Sequence, residues 1–167
     1  MYSIDGRMLK FLSSYLCGRQ QCVIIENVKS SLKPVLSGVP QGSILGPILF
    51  VLFINDMADG IDCNTNLALY ADDTKTWRKI MSEVDNIKLQ TDINYLLMWS
   101  INNKINFNFD KCKALSINNR TSPLSMLPFV TFFYYLGDKQ LPFADKEKDL
   151  GVIISSNFSF MSKSMGC

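Results

Sequence analysis

An α+β fold is predicted for this 167-residue chain on three observations. Apolar residues recur at helical spacing in two separated stretches, around 7–17 and 89–101. Short β-rich runs bounded by turn residues stand between and after those stretches. Helices therefore alternate with hairpins along the chain, a pattern that belongs to α+β architectures.

Taken in order, residues 7–17 place Met8, Leu9, Leu12 and Leu16 on one helical face, with Gly18 as the stop. Gln21–Glu26 is a β-rich run, and after a polar Asn27–Ser31 segment the stretch Leu32–Leu36 completes a hairpin. Residues 37–47, Ser-Gly-Val-Pro-Gln-Gly-Ser-Ile-Leu-Gly-Pro, hold three glycines and two prolines. Ile44 and Leu45 anchor this segment as a structured loop. Pro47 suits the first turn of a helix that reaches about Met57 and ends at Asp59-Gly60. Thr65–Tyr70 reads as a strand and Thr74–Ile80 as its return, with Asp72 and Asp73 at the turn. Ser82-x-x-Asp85 resembles a capping box. The helix it opens carries Leu89, Ile93, Leu96, Leu97 and Ile101 as a stripe and ends at Asn102-Asn103. Phe107 and Phe109, alternating with Asn106 and Asn108, predict a half-buried strand. Further strands are expected at Ala114–Ile117, Val130–Leu136 and Asp149–Ile154, with a loop over Asn119–Pro128. The terminal stretch from Phe158 to Cys167 reads as a run into a segment that has been cut off. Trp77 and Trp99 are expected to pack rather than to stack on bases.

Composition narrows the chemistry. Hydrophobic residues make up 47% and charged residues 19%, enough for a core in one ordinary globular domain. The chain has no His, which excludes a Ser-His-Asp or Cys-His triad and any His-ligated zinc within it. Its five cysteines, Cys17, Cys22, Cys63, Cys112 and Cys167, form no C-x-x-C pair and predict reduced thiols. There is no signal-peptide pattern at the start. The longest apolar run, Ile44–Ile54, is far short of the ~20 residues a spanning helix needs. An intracellular chain with no membrane partner is expected. Whether it works in the nucleus or the cytoplasm stays open. The formal charge of +2 and pI of about 8.2 permit nucleic-acid binding without demanding it.

Catalysis in such a chain falls to carboxylates, Lys, Tyr, Ser or Cys. Asp72-Asp73 is the pair to consider first. Two unit charges ~4 Å apart at an effective dielectric of ~20 repel by about 4 kcal/mol. Solvent screening on an exposed turn removes most of that, so an ordinary solvated turn is the plain reading of the dipeptide alone. Delivery by an apolar strand favours a metal role. Mg²⁺ takes carboxylate oxygens and keeps waters for a phosphate substrate. Two-metal phosphoryl transfer needs carboxylates that hold two ions about 3.5–4 Å apart.

Joined to the Gly/Pro loop, the turn resembles a known family. Ser37–Pro47 with Phe50 and Ile54-Asn55-Asp56-Met57, then Leu69-Tyr70-Ala71-Asp72-Asp73-Thr74, are similar to motifs B and C of the reverse transcriptases of non-LTR (LINE-type) retrotransposons. Ser14–Val23 is similar to the stretch before motif B. Leu89–Trp99 with Asn108-Phe109-Asp110-Lys111-Cys112-Lys113 resembles motif D, and Lys148–Val152 resembles the primer-grip hairpin, motif E. The resemblance implies part of one reverse transcriptase domain over 1–167. Motif B occupies 37–57, the motif C hairpin 65–80, motif D 82–118 and the motif E region 130–155. It implies a partial polymerase palm, with a ferredoxin-like sheet and two main helices, lacking the fingers, the motif A strand and the thumb.

The activity implied is RNA-directed DNA synthesis. An RNA template, a DNA primer and a dNTP are the partners, and two Mg²⁺ ions assist. Asp72 would be a metal ligand with Asp73 beside it. Tyr70 would pack near the primer end and the incoming nucleotide, and Pro40, Gln41 and Gly42 would line the template and nucleotide pocket. Lys111 would be the general acid for the leaving pyrophosphate. Leu150 and Gly151 would support the primer. Read without the family, Lys111 and Lys113 are simply solvated. The chain departs from the family in carrying no motif A aspartate. Asp5, the one acid before Glu26, lies too close to the first helix and lacks the motif A setting. The isolated chain is therefore expected to bind Mg²⁺ weakly, to be inactive, and to show an unpaired apolar sheet edge that favours aggregation. The alternative to a polymerase piece is a non-catalytic remnant that binds nucleic acid or protein.

Overall fold

Local sequence signals set the boundaries of most elements in the computed structural model, which describes residues 4–117 and 132–156. Helix α1, Gly6–Leu16, ends where Gly18 takes a left-handed backbone, φ +66°. Residues 20–34 then form one long hairpin with an irregular middle. Strand β1 (Gln20–Gln21) pairs antiparallel with β4 (Lys33–Pro34), and β2 (Ile24–Ile25) with β3 (Val28–Lys29). Between the two ladders Val23 and Ser30 exchange hydrogen bonds, the Val23 carbonyl accepting from the Ser30 N–H and the Ser30 hydroxyl from the Val23 N–H. The turn at Glu26-Asn27 has both residues at positive φ, which matches the right-handed twist of the flanking strands. Helix α2 runs Leu45–Ile54 and tightens into a 3₁₀ turn, Asn55–Ala58, burying Ile54 and Met57.

Strands β5 (Thr65–Tyr70) and β6 (Asp73–Arg78) form the next hairpin. Helix α3, Glu83–Asn102, is the longest element. Its capping box is present: the Asp85 carboxylate accepts from the N–H and hydroxyl of Ser82 and from the Met81 N–H. Two hairpins follow, β7 (Tyr135–Leu136) with β8 (Lys139–Gln140), and β9 (Lys146–Asp149) with β10 (Val152–Ser155).

The chain divides into two units. The first takes the chain up to Asp59 together with Leu69–Thr74, the tip of the β5–β6 hairpin. The second takes Gly60–Ala68 and the chain from Lys75 onward. A core cluster of the described residues lies in the second unit. Ile93, Tyr134, Leu136 and Leu141 are buried together, with Leu89, Leu97, Phe107, Phe109, Cys112, Ala114 and Phe132 packed around them. From the apolar stripe of α3, Leu89, Ile93 and Leu97 join that core; Leu96 is buried outside it and Ile101 is exposed. Gln90 reinforces the join, since its side-chain amide both donates to and accepts from the backbone of Tyr135.

The fold is mixed α and β, as predicted. Among the described residues it comprises three α-helices and five two-stranded sheets. Six of the ten described strands are two residues long, while β5 and β6 reach six residues each. The expected strand at Ala114–Ile117 is a single parallel bridge, Ala114 to Phe143. The expected Phe107–Phe109 strand keeps its buried–exposed alternation but follows irregular backbone, because turns at Asn108 and Phe109 close on Lys111 and Cys112. The expected strand at Asp149–Ile154 is a hairpin that turns at Leu150-Gly151. Trp99 is buried as expected, whereas Trp77 is half exposed. The loop Asn119–Pro128, the start of the Val130–Leu136 strand and the terminal run from Phe158 lie outside the described residues. No helix among those described is long and apolar enough to cross a membrane.

Candidate active site

The Gly/Pro loop is built by a few local contacts. Arg19 donates from Nε to the Leu16 carbonyl at 2.8 Å and from Nη2 to the Gly38 carbonyl, which ties the loop to the end of α1. Gly38 and Gly42 stand at φ +79° and +75°, a region that costs other residues strain. The Ser43 hydroxyl then works in both directions. It donates to the Pro40 carbonyl at 2.8 Å and accepts from the Gly46 N–H at 3.0 Å, satisfying a free donor at the start of α2. This folds the loop so close to the helix that a Cβ on Gly46 would lie 2.8 Å from the Pro40 oxygen and 2.9 Å from Ser43 Oγ. Gly46 is required there by space.

The hairpin tip comes next. Ala71-Asp72 forms the turn, with Ala71 at φ +50°, and Asp73 already begins β6. The turn thus sits one residue earlier than the sequence suggested. Tyr70, Asp72 and Asp73 are all exposed. An open groove of about 720 Å³ runs between loop and tip, within the first unit. Val39–Ser43, Gly46, Pro47, Phe50 and Val51 form one wall, and Tyr70, Ala71 and Asp72 the other. The walls are mainly apolar. Their polar groups come from Gln41, Ser43, Tyr70 and Asp72, and no Lys or Arg lines the groove. Such a surface suits a flat, largely neutral group with a carboxylate beside one end.

Pro40, Gln41, Gly42, Tyr70 and Asp72, proposed from sequence, therefore line one groove, and Asp73 adjoins it without lining it. Lys111, Leu150 and Gly151 belong to the second unit and do not line the groove. Asn108 shapes the turn that presents Lys111: its carbonyl accepts from the Lys111 N–H and its Oδ1 from the Asp110 N–H. Burial pushes the thiol pKa of neighbouring Cys112 up. Leu150 and Gly151 form a turn with φ +45° and +88°. The strand before that turn is tied by two ion pairs, Lys75 with Asp149 and Lys113 with Glu147.

The sequence reading missed a polar cluster at the open end of the same hairpin. The Arg78 side chain is only 3% exposed. Its Nη1 donates to Asp62 Oδ1 at 2.8 Å and to Thr65 Oγ1 at 3.0 Å, and its Nε to Asp85 Oδ1 at 3.3 Å. The Arg78 hydrogen bond and the Asn64 N–H hold the Asp62 carboxyl well below the usual carboxylate range. Asp85 is also lowered, chiefly by the Met81 N–H and the Ser82 hydroxyl. Lys88 lies 3.5 Å from Asp62, and the buried Asp92 accepts the Asp62 N–H at 3.0 Å. Asp85, Lys88 and Asp92 recur at i, i+3 and i+7, one face of α3. That spacing was the available signal, and charged residues so spaced pass for a solvated face.

Metal fit follows from the donors. Asp72 and Asp73 supply hard carboxylate oxygens of the kind Mg²⁺ selects. Among the described residues no group of three or more Cys, Asp or Glu stands together to hold a metal ion. The donors fit in kind, and in number they leave most of a coordination shell to water or substrate.

Sequence comparison decides the family. The pattern described as reverse transcriptase (RNA-dependent DNA polymerase) matches residues 3–154. The chain belongs to the reverse transcriptase family. This confirms the resemblance carried by the Gly/Pro loop and the Tyr70–Asp73 turn. The reverse transcriptase chain is 34% identical over 117 residues to the RNA-directed DNA polymerase from mobile element jockey of Drosophila melanogaster, a match over 66% of the chain and 13% of that protein. Against the jockey polymerase of Drosophila funebris identity is 28% over 94% of the chain and 17% of that protein. Against the probable RNA-directed DNA polymerase from transposon X-element of Drosophila melanogaster it is 29% over 89% and 16%. The chain thus spans under a fifth of the length of these relatives. No solved structure matches it.

Proposed function

We propose that this chain forms the motif B to motif E part of the palm of an RNA-directed DNA polymerase from a non-LTR mobile element. The observation that carries the proposal is the groove, in which Pro40, Gln41 and Gly42 face Tyr70 and Asp72. The apolar wall would take the base and sugar of a template–nucleotide pair. The bare backbone of Gly42, with open space where a Cβ would stand, allows that close approach. Tyr70 would pack against the primer end. Asp72, with Asp73 at its side, would hold Mg²⁺, which when bound lowers the charge barrier to attack by the primer 3′-oxygen on the α-phosphorus. The new P–O bond forms as the α–β bridging bond breaks, and the proton of the 3′-hydroxyl passes to water. Lys111 would give its proton to the departing pyrophosphate. Leu150-Gly151, at a tight turn whose preceding strand carries two ion pairs, would bear on the primer backbone.

The test is primer extension on an RNA template with Mg²⁺, using a polypeptide that contains this chain and its Asp72→Asn variant. Loss of extension by at least 100-fold in the variant is expected. Extension that survives the substitution would rule out the metal role of Asp72.

A further inference from the structure

We infer that Arg78 is a positioning residue, a register lock at the open end of the β5–β6 hairpin that keeps Asp72 of the Asp72–Asp73 pair on the groove wall. The inference rests on the nucleotidyl-transfer reading and names a residue outside the groove that the reaction depends on.

Arg78 is the last residue of β6, and Thr65 the first of β5. The guanidinium joins them directly through Thr65 Oγ1, and it joins both to Asp62 before the hairpin and Asp85 after it. Asp62 is itself fixed from a second side by Asp92 through its N–H. Both strand ends are therefore bolted to one face of α3. A charged cluster is not needed here for stability alone, since apolar residues of similar volume do as well or better. What it supplies is a single geometry. Side chains alternate along a strand, so a slip of β6 by one residue would turn Arg78 to the opposite face and strand it away from all three acceptors. The same slip would turn Asp73, the first residue of β6, to the opposite face and shift Asp72 in the turn off the groove wall. The left-handed Ala71 makes the tip a weak guardian of its own register, because a non-glycine residue at φ +50° is strained. The lock thus lies at the end that can bear it. A lysine cannot replace it, because an ammonium lacks the rigid fork that reaches three acceptors at once.

The experiment compares wild type, Arg78→Gln, Arg78→Lys and the milder Thr65→Val in the polypeptide used for primer extension. The first readout is amide hydrogen exchange without metal. Exchange at Leu69–Thr74 should speed at least tenfold in Arg78→Gln, with Arg78→Lys and Thr65→Val between it and wild type. The second is the Mg²⁺ concentration for half-maximal extension, which should rise at least fivefold while the KM for dNTP stays within twofold. If Arg78→Gln fails to fold, the other two variants carry the test. Unchanged exchange at the tip, with faster exchange confined to residues 60–66, would reduce Arg78 to a local brace and overturn the inference. If wild type extends no primer, the polymerase reading fails on its own, and the exchange arm still decides whether the lock exists.

Discussion

Arg78 and its two aspartates make a defined demand on pH. Asp62 and Asp85 both titrate below the ordinary carboxylate range in the folded chain. A depressed folded pKa contributes stability that is complete above the unfolded value of ~3.9 and is lost as pH falls through the folded one. Stability should therefore be level from neutrality to about pH 5 and fall below about pH 4. In Asp62→Asn the acid limb should be shallower, even though the plateau is lower. Denaturant midpoints measured from pH 2.5 to 7 give both slopes, and equal slopes would contradict the role assigned to Asp62. At this scale the groove was legible in sequence, because Pro40, Gln41, Gly42, Tyr70 and Asp72 come from two contiguous motifs. The Arg78 cluster was not. Its members are drawn from a loop, two strand ends and a helix, and only the fold turns their charges into partners.

Elements show the same division. Helix α3 was readable at both ends and along its stripe, because capping and 3.6-residue periodicity are local physics. The stripe meets β7, where Leu136 is buried among Ile93, Tyr134 and Leu141. Truncation there removes apolar contact and leaves a cavity, so Leu136→Ala should cost about 2–5 kcal/mol in a denaturant titration. A loss below 1 kcal/mol would mean that the site collapses freely or that this core is not the principal one. The short hairpins were less readable. A Leu150-Gly151 turn lacks the Asn or Asp that usually marks left-handed residues, so residue pattern alone gave one strand there and only the resemblance to motif E pointed to a hairpin. Among the two-residue strands, the hairpin over 20–34 was legible from its β-rich runs and polar middle, whereas the division into two short ladders was not.

Across the whole molecule, apolar surface is unevenly covered. In the first unit, α1 buries none of its residues, and Ile24, Ile25, Val28, Ile48 and Val51 are exposed. Leu36 and Ile44 are 90% and 87% exposed. Patches of this kind invite association. The isolated chain should bind a hydrophobic dye at neutral pH and scatter more light as its concentration rises. A dye-silent monomer with a sharp, concentration-independent melt would overturn that expectation. Family and fold class were open to sequence because motifs and periodicity suffice for them. Division into units was not, because it depends on which distant segments share contacts. That division has a consequence for how such a gene can be cut and rejoined. The polypeptide passes from one unit to the other after Asp59, after Ala68 and again after Thr74. Neither unit is a continuous stretch, so no single recombination breakpoint exchanges one intact. A crossover at 59/60 would bring the loop wall of the groove from one parent and its Tyr70–Asp72 wall from the other. Chimaeras of related elements should tolerate junctions outside 37–73 better than junctions within it.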